Sequence, residues 1–575
     1  MNTSIFDRRR AGLLVPAYAL RHSEDFGIGD TLAVKNAIDF CAEQGFTVLQ
    51  LLPIFETIGD PSPYSPVSSH ALSPSLLSLV PELVPGLDRS MVDHLCPPVW
   101  REELRVGDVS YHVIQPLKNE ILVAAYRRFI REGDGDLRRS FAAFKEEEAT
   151  WLSPYTLYRV LVGKYHGDTR WKDWRPEHRT YATALHWLQM QPDHEILSTR
   201  RDEFAFIQWV ADRQWRSVKD HCDARGVRLI GDLPFGMAPD SCDVWAEPSL
   251  FDTEWSMGTR PLAHFDTSKD AERWGQNWGF PPYRWENHRS SGFHWFDDRF
   301  RWMRRFFHGC RIDHLRGYFR AYMFPWAGGA RHVEFSALDE IQAAERTGGL
   351  LPRFVPGPDD DEITAGMNYL QGNELISRMA DASGDMDLVA EIMGEMPAYM
   401  ARTLEERKLA NLAFPQLLVG PGSEFIIPPD QFRELSLVSY ANHDNAPLAQ
   451  LYPQLAKHPG ADPANPYAPE LQRLLSFIGW KGSAPADLND ELLASFQSKL
   501  FQTSSRLAVL MCSDLLGIPL RFNLPGSYGE GAWSHRLPWS LDDLANDPLY
   551  GKRIAVAKTL IDQHGRGERR SISSS

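Results

Sequence analysis

The sequence predicts an α/β fold, a (β/α)8 barrel of the TIM type with mostly helical inserted subdomains. Two observations carry this. An amphipathic helix followed by a short buried apolar run recurs along the chain, and acidic residues stand just beyond several of those runs. Repeated helix and buried strand argue for parallel strands covered on both faces. In a (β/α)8 barrel the carboxyl ends of the strands share one face, and active sites are assembled there from several strands.

The first unit comprises an apolar run at Leu13 to Val15, a helical pattern from Thr31 to Gln44, and a second run from Val48 to Leu52. Val34, Ala37, Ile38 and Cys41 share one helix face and Gly45 ends the helix, so the unit reads as βαβ. The same grammar returns at Ile207, Val210, Ala211, Val218 and Cys222, with Gly226 as the stop and Val227 to Ile230 as the strand. A third copy has Phe296, Phe300, Met303 and Phe307 on a helix, then His308-Gly309 and the run Cys310 to Ile312. Residues 1–75, 201–326, 386–445 and 501–563 are thus expected to form the barrel. Residues 76–200 are read as an inserted helical subdomain, since structureless loops of that length are rare. Residues 327–385 are expected to be an irregular insertion, rich in Gly and Pro, 446–500 a helical insertion, and 564–575 a frayed, disordered tail.

Composition narrows the function. The chain has 575 residues, 43% hydrophobic, with 76 Asp and Glu against 61 Lys and Arg, a net charge of −15. That balance argues against nucleic acid or an anionic membrane as partner. Arg8-Arg9-Arg10 followed by a Gly12 to Ala19 stretch imitates a signal peptide, but the apolar part is too short and contains Pro16. No run approaches the roughly 18 apolar residues of a membrane helix. Six scattered cysteines without zinc spacing fit reduced thiols in a cytoplasmic protein and indicate no metal site. The 18 tryptophans are the unexplained surplus.

Four acids follow apolar runs: Asp232, Asp313, Glu391 and Asp444, with Arg311 and His443 close by in sequence. An Asp in such a place is also an ordinary helix N-cap. Four together suit glycosidic-bond chemistry, in which one carboxylate attacks and one protonated carboxyl group donates, with an arginine holding the nucleophile ionised. The competing reading is a set of carboxylates holding a divalent metal for phosphoryl transfer. It lacks a phosphate-cradling loop: Gly27-Ile28-Gly29 is a bare G-x-G, and no Walker motif is present.

At these residues the chain resembles the amylomaltases, the 4-α-glucanotransferases of glycoside hydrolase family 77. Gly12-Leu13-Leu14-Val15-Pro16, Leu52-Pro53 and Ser62-Pro63-Tyr64 to Pro74 resemble the family's opening motifs. Gly231-Asp232-Leu233-Pro234 with Asp240 to Trp245 is close to its G-D-I-P and D-S-A-D-V-W. Gln276-Asn277-Trp278-Gly279 is similar to Q-x-W-G. Arg311-Ile312-Asp313-His314-Leu315-Arg316-Gly317 is nearly R-I-D-H-F-R-G, the most specific match. Ala390-Glu391, His443-Asp444-Asn445 and Arg521 to Gly526 are similar to A-E-D-L-G, T-H-D-N-D and R-M-N-x-P-G. Trp151-Leu152, Tyr155, Trp171 and Trp174 resemble motifs of the inserted subdomain.

The resemblance implies Asp313 as nucleophile, Glu391 as acid/base and Asp444 as transition-state stabiliser. It implies substrate contacts by Tyr64, Asp232, Gln276, Trp278, Arg311, His443 and Asn523, with Tyr64 stacking on a sugar and Arg311 and His443 touching Asp313 or the donor sugar. Tyr64, Asp232 and Trp278 also admit purely structural readings. The implied substrates are maltooligosaccharides or other α-1,4-glucans as donor and acceptor, handled without cofactor or metal. Three positions depart from the pattern: Ile392, Asn442 and Ala446. The stretch His264 to Arg273 is longer and more charged than the family's aromatic loop. The alternatives are an α-retaining hydrolase related to the amylases and a catalytically dead glucan-binding protein. Trp278 is the tryptophan expected in the cleft, while Trp151, Trp171 and Trp174 are expected in the insertion's core.

Overall fold

A computed structural model describes residues 4–261, 273–393, 396–420, 425–457, 468–524 and 531–567. Most of the charged stretch from His264, Gly394, Pro525-Gly526 and residues 568–575 lie outside them. Eight strands close a barrel: β1 (Arg10–Leu14), β2 (Val48–Gln50), β3 (Arg228–Leu233), β4 (Gly309–Ile312), β5 (Asp387–Ala390), β6 (Ala410–Ala413), β7 (Ser436–Val438) and β8 (Leu507–Met511). Each pairs in parallel with its neighbour in sequence, and β1 closes on β8 with Arg10 opposite Leu507. β1 and β8 are buried along their whole length, as both-face coverage requires.

Local signals set the outer layer. Helix α1 (Thr31–Gln44) starts at Asp30, whose side chain accepts from the amides of Leu32 and Ala33, and stops at Gly45 with φ 83°. α2 (His194–Arg225) ends likewise at Gly226, φ 69°, immediately before β3. The two helices pack together, tied by Lys35 Nζ to Ser217 Oγ at 2.8 Å and by His221 to Asp39 at 2.9 Å. No helix among the described residues is long and apolar enough to cross a membrane. All six cysteines are free and buried.

The insertions differ from their expected boundaries in one consistent way. α2 runs unbroken through residue 200, so the stretch after β2 shares its last helix with the barrel. Residues 327–385 are not irregular. They hold helices Ala330–Ser336 and Glu340–Arg346, strand Arg353–Val355 and the 22-residue helix Glu362–Ser383, which packs on helix His294–Arg304 as part of the outer layer. Helix Asp490–Gln502 similarly precedes β8 across the boundary at 500. Periodicity identifies a helix but not the layer it covers.

A four-stranded antiparallel sheet was not legible in the sequence. Its order is Gln276–Phe280, Ser256–Thr259, Ala321–Phe324, Arg353–Val355, two strands from the β3–β4 connection and two from β4–β5. Trp274, Phe324, Trp326, Phe335 and Ala343 form its own small core. Strands of three to five residues, paired across long stretches of chain, leave no period to read. The tail also departs from expectation at its start: Arg566 is fully buried at the amino end of the β1–β8 seam.

Candidate active site

The site forms where β3, β4, β5 and β7 end. Asp232 lies inside β3, Arg311 inside β4 opposite it, Asp313 one residue beyond β4 and Glu391 one residue beyond β5. His443 and Asp444 follow β7, and Asn523 follows β8. Parallel register in a barrel brings these strand ends to one face, so acids far apart in sequence converge.

The Arg311 guanidinium is the centre. Its Nη1 donates to both oxygens of Asp232 at 2.7 and 2.9 Å. Its Nη2 stands 3.3 Å from Asp313 Oδ1 and 3.0 Å from Glu391 Oε1. One nitrogen thus reaches both carboxylates and draws them to one point. Backbone amides fix the far oxygens: Phe235 N donates to Asp313 Oδ2 at 3.1 Å, and His314 N to Glu391 Oε2 at 2.9 Å. His314 adopts φ 44°, a left-handed conformation.

Asp444 has a separate environment. His443 Nε2 lies 3.1 Å from its Oδ2, Asn523 Nδ2 donates to Oδ1 at 2.6 Å, and its own amide donates to Asn442 Oδ1 at 3.0 Å. Asn442, one of the departures from the family pattern, thus orients the loop. Tyr64 joins the two halves. Its hydroxyl donates to Asp232 Oδ2 at 2.7 Å, and its ring stacks on the His443 imidazole at 4.9 Å and 23°.

The charges follow from these contacts. Burial pushes the Asp313 carboxyl up to about 7; Arg311 opposes that, and the charges of Glu391 and Asp232 reinforce it. Burial also works on Glu391, but Arg311 and the His314 amide outweigh it and hold Glu391 below its ordinary value. The two titrate as a pair around one shared cation, so the pair retains a proton near neutrality. For Asp444, His443 and Asn523 overcome burial and keep the carboxyl well below the usual carboxylate range. His443 is raised, because Asp444 outweighs the burial that disfavours its charge.

Of the residues singled out in the sequence, Tyr64, Asp232, Arg311, Asp313, Glu391, His443, Asp444 and Asn523 form one connected network. His443 pairs with Asp444, not with Asp313. Trp278 reaches the network through His314, ring edge to face at 4.8 Å and 87°. Gln276 lies two residues earlier on the same strand, and among the described residues its side chain makes no hydrogen bond to the carboxylates. Trp171 and Trp174 are buried, as expected of core, and half-buried Trp151 stacks on His70. Sequence reasoning missed the amides of Phe235 and His314, and Trp533, which leans on both Tyr64 and His443. His314 stood inside the most specific motif; Trp533 had no signal beyond being a tryptophan.

The glycoside hydrolase family 77 model, 4-alpha-glucanotransferase, matches residues 15–542. The chain is 27% identical over 548 residues to the 4-alpha-glucanotransferase of Chlamydia muridarum, covering 93% of this chain and 92% of that protein. It is 28% identical over 526 residues to the 4-alpha-glucanotransferase of Thermus thermophilus, covering 90% and 92%. The amylomaltase from Streptococcus agalactiae, solved in complex with acarbose, has the same fold, with a TM-score of 0.75 at 19% identity over 98% of this chain and all of that one. With three strand-end acids around one arginine, a fourth beside them on its own histidine, and a family match spanning nearly its whole length, the chain belongs to the 4-alpha-glucanotransferases of glycoside hydrolase family 77.

Proposed function

We propose that the chain transfers α-1,4-glucan segments between maltooligosaccharides by a retaining double displacement. The observation that carries this is the single Arg311 nitrogen within reach of both Asp313 and Glu391, which brings the two carboxyl groups that such chemistry needs to one point at the strand ends. Asp313 attacks the anomeric carbon while Glu391 protonates the glycosidic oxygen. The glucosyl unit then rests as an ester on Asp313, and Glu391, now a carboxylate, takes the proton from the 4-hydroxyl of the acceptor. Asp444, held ionised, faces the positive charge that develops on the sugar.

Asp232 and Tyr64 are positioning residues in this scheme: Asp232 holds Nη1 of Arg311, leaving Nη2 for the reacting pair. His443 and Asn523 keep Asp444 charged and aimed, and Trp278 and Gln276 border the cleft. The shared proton is the demanding part. Burial raises Asp313 while Arg311 and the His314 amide lower Glu391, which favours Asp313 as its holder, whereas attack requires it on Glu391. Substrate entry must therefore move it, by presenting a glycosidic oxygen to Glu391 and an electrophilic carbon to Asp313. Attack and proton transfer call for no cofactor. A net charge of −15 and six buried free thiols support a neutral glucan as partner in a reducing cytoplasm, without nucleic acid or membrane.

Incubation with maltotriose should yield glucose and a ladder of longer maltooligosaccharides, and Asp313→Asn should abolish both. Absence of a ladder from every maltooligosaccharide overturns the proposal.

A further inference from the structure

We propose that Trp533 is a positioning residue for both halves of the site: its indole ring braces the Tyr64 and His443 stack, and the helical insertion holds the residue in place. The proposal rests on the transferase reading above. Trp533 is buried, and its ring lies 5.6 Å from the Tyr64 ring and 5.6 Å from the His443 imidazole, tilted by 48° and 42°. Those two rings are themselves stacked, so the three close on one another and none can swing without displacing a neighbour. What they carry differs. The Tyr64 hydroxyl holds Asp232, the partner of Arg311, while His443 holds Asp444. One indole thus backs the groups that set both the reacting pair and the stabilising carboxylate.

The backbone at this point is not relaxed. Trp533 has φ 62°, a conformation in which a bulky side chain crowds its own backbone. Among the described residues other than glycine, positive φ is confined to His166, Phe293, His314, Lys408 and Trp533. Two of these, His314 and Trp533, touch the network, and the His314 amide already serves Glu391. Residues keep such conformations only where the surroundings over-determine them, and they gather at functional sites. Here the surroundings act from two directions. From the site, the Trp533 amide donates to Phe522 O at 2.8 Å. The residue after Phe522 is Asn523, which donates through Nδ2 to Asp444 and through its amide to the His443 carbonyl at 3.2 Å. From the insertion, the Tyr111 hydroxyl donates to Trp533 O at 2.8 Å, Val109 N donates to Ser534 O at 2.9 Å, and His535 Nδ1 lies 2.9 Å from Asp108 Oδ2. Residues 108–111 thus run along 533–535 and lock them at the start of helix Tyr111–Glu132. A glycine would take this φ at no steric cost, so what the tryptophan contributes in exchange is its ring.

The test measures kcat and donor KM on maltotriose, and the His443 pKa by NMR titration without substrate, in Trp533→Leu, Trp533→Gly and Trp533→Phe. The first two remove the ring, and Trp533→Gly also relieves the backbone. Both should lower kcat on the order of tenfold to a hundredfold with the donor KM within about threefold, because a misaimed Asp444 is felt in the transition state. In both, the His443 pKa should fall as its hold on Asp444 loosens. Trp533→Phe keeps an aromatic brace and should recover kcat to within about threefold of the parent. Thermal midpoints accompany each variant. If the ring-removing variants do not fold, Tyr111→Phe, which keeps the ring and removes its clamp, decides by the same two readings. An unchanged kcat or an unchanged His443 pKa in the deciding variant overturns the proposal, as does a Trp533→Phe variant that recovers nothing. A parent that makes no ladder overturns the transferase reading, and the His443 titration, which needs no substrate, still decides whether Trp533 braces the stack.

Discussion

Arg311 and Arg566 are both buried, at opposite ends of one barrel, and their surroundings differ in kind. Arg311, at the carboxyl ends, has Asp232, Asp313 and Glu391 about it and the Tyr64 hydroxyl at 3.4 Å. Arg566, at the amino ends, makes no ion pair among the described residues: it donates to the carbonyls of Phe501, Thr503 and Arg10 at 2.8, 2.7 and 3.1 Å. Burial without a counter-charge lowers its pKa. Arg566 therefore closes the seam between β1 and the segment leading into β8. At the other end an excess of negative charge over positive leaves one proton in the pair, and that proton is what the chemistry uses. The same side chain serves stability at one end and reactivity at the other, as the division of labour in such barrels leads one to expect.

The sharpest way to break this contrast is Arg311→Met. Two buried carboxylates and the half-buried Asp313 then lose their cation, and kcat/KM on maltotriose should fall on the order of a thousandfold or more. Arg311→Lys should restore little, because one ammonium cannot serve Asp232 and the reacting pair from two directions. Asp444→Asn should cost on the order of a hundredfold in kcat, with the His443 pKa, read by NMR, falling once its partner is neutral.

The retained proton makes a pH prediction. Activity should decline above about 7, where the Asp313 and Glu391 pair loses it, by about tenfold per pH unit. Stability shows the opposite signs of the two acids. The Asp313 carboxyl is raised on folding, so its contribution is complete below about pH 4 and lost as pH rises through about 7. Asp444 is depressed, so its contribution is present above about pH 4 and lost as pH falls further. With the Asp313 side chain 21% exposed, Asp313→Asn should remove on the order of 1–2 kcal/mol of the decline between pH 4 and 7, measured by urea unfolding.

Arg566→Ala should have the smallest effect on activity and a clear one on stability. Several buried carbonyls lose their donor, at about 2–4 kcal/mol by denaturant midpoint, while kcat stays within about twofold. A large loss of kcat there would erase the distinction between the two ends.

Much of the barrel was legible because its signals are local. Asp30, Gly45 and Gly226 mark helix ends with hydrogen-bonding groups and φ angles that need no distant partner. The acids were legible because each sits beside a buried strand and within a specific motif, Arg311 to Gly317 above all. The layer to which helix Glu362–Ser383 belongs was not, nor was the antiparallel sheet, since both depend on which distant segment completes the packing. Arg566 was misread for the same reason: in a basic, Ser-rich tail nothing local announces that one guanidinium turns inward.

By itself the sequence determined the repeating helix–strand units of the barrel, the residue types at the strand ends and the family resemblance, all carried by neighbours along the chain. Only the tertiary structure decided how charge is shared: that one guanidinium nitrogen serves both Asp313 and Glu391, that His443 belongs to Asp444, and that Tyr64 links the halves. His443 and Asp444 are neighbours, but which partner each takes depends, like the other contacts, on residues tens to hundreds of positions away, and a proton's position depends on such distances and on burial, neither of which is written in residue order.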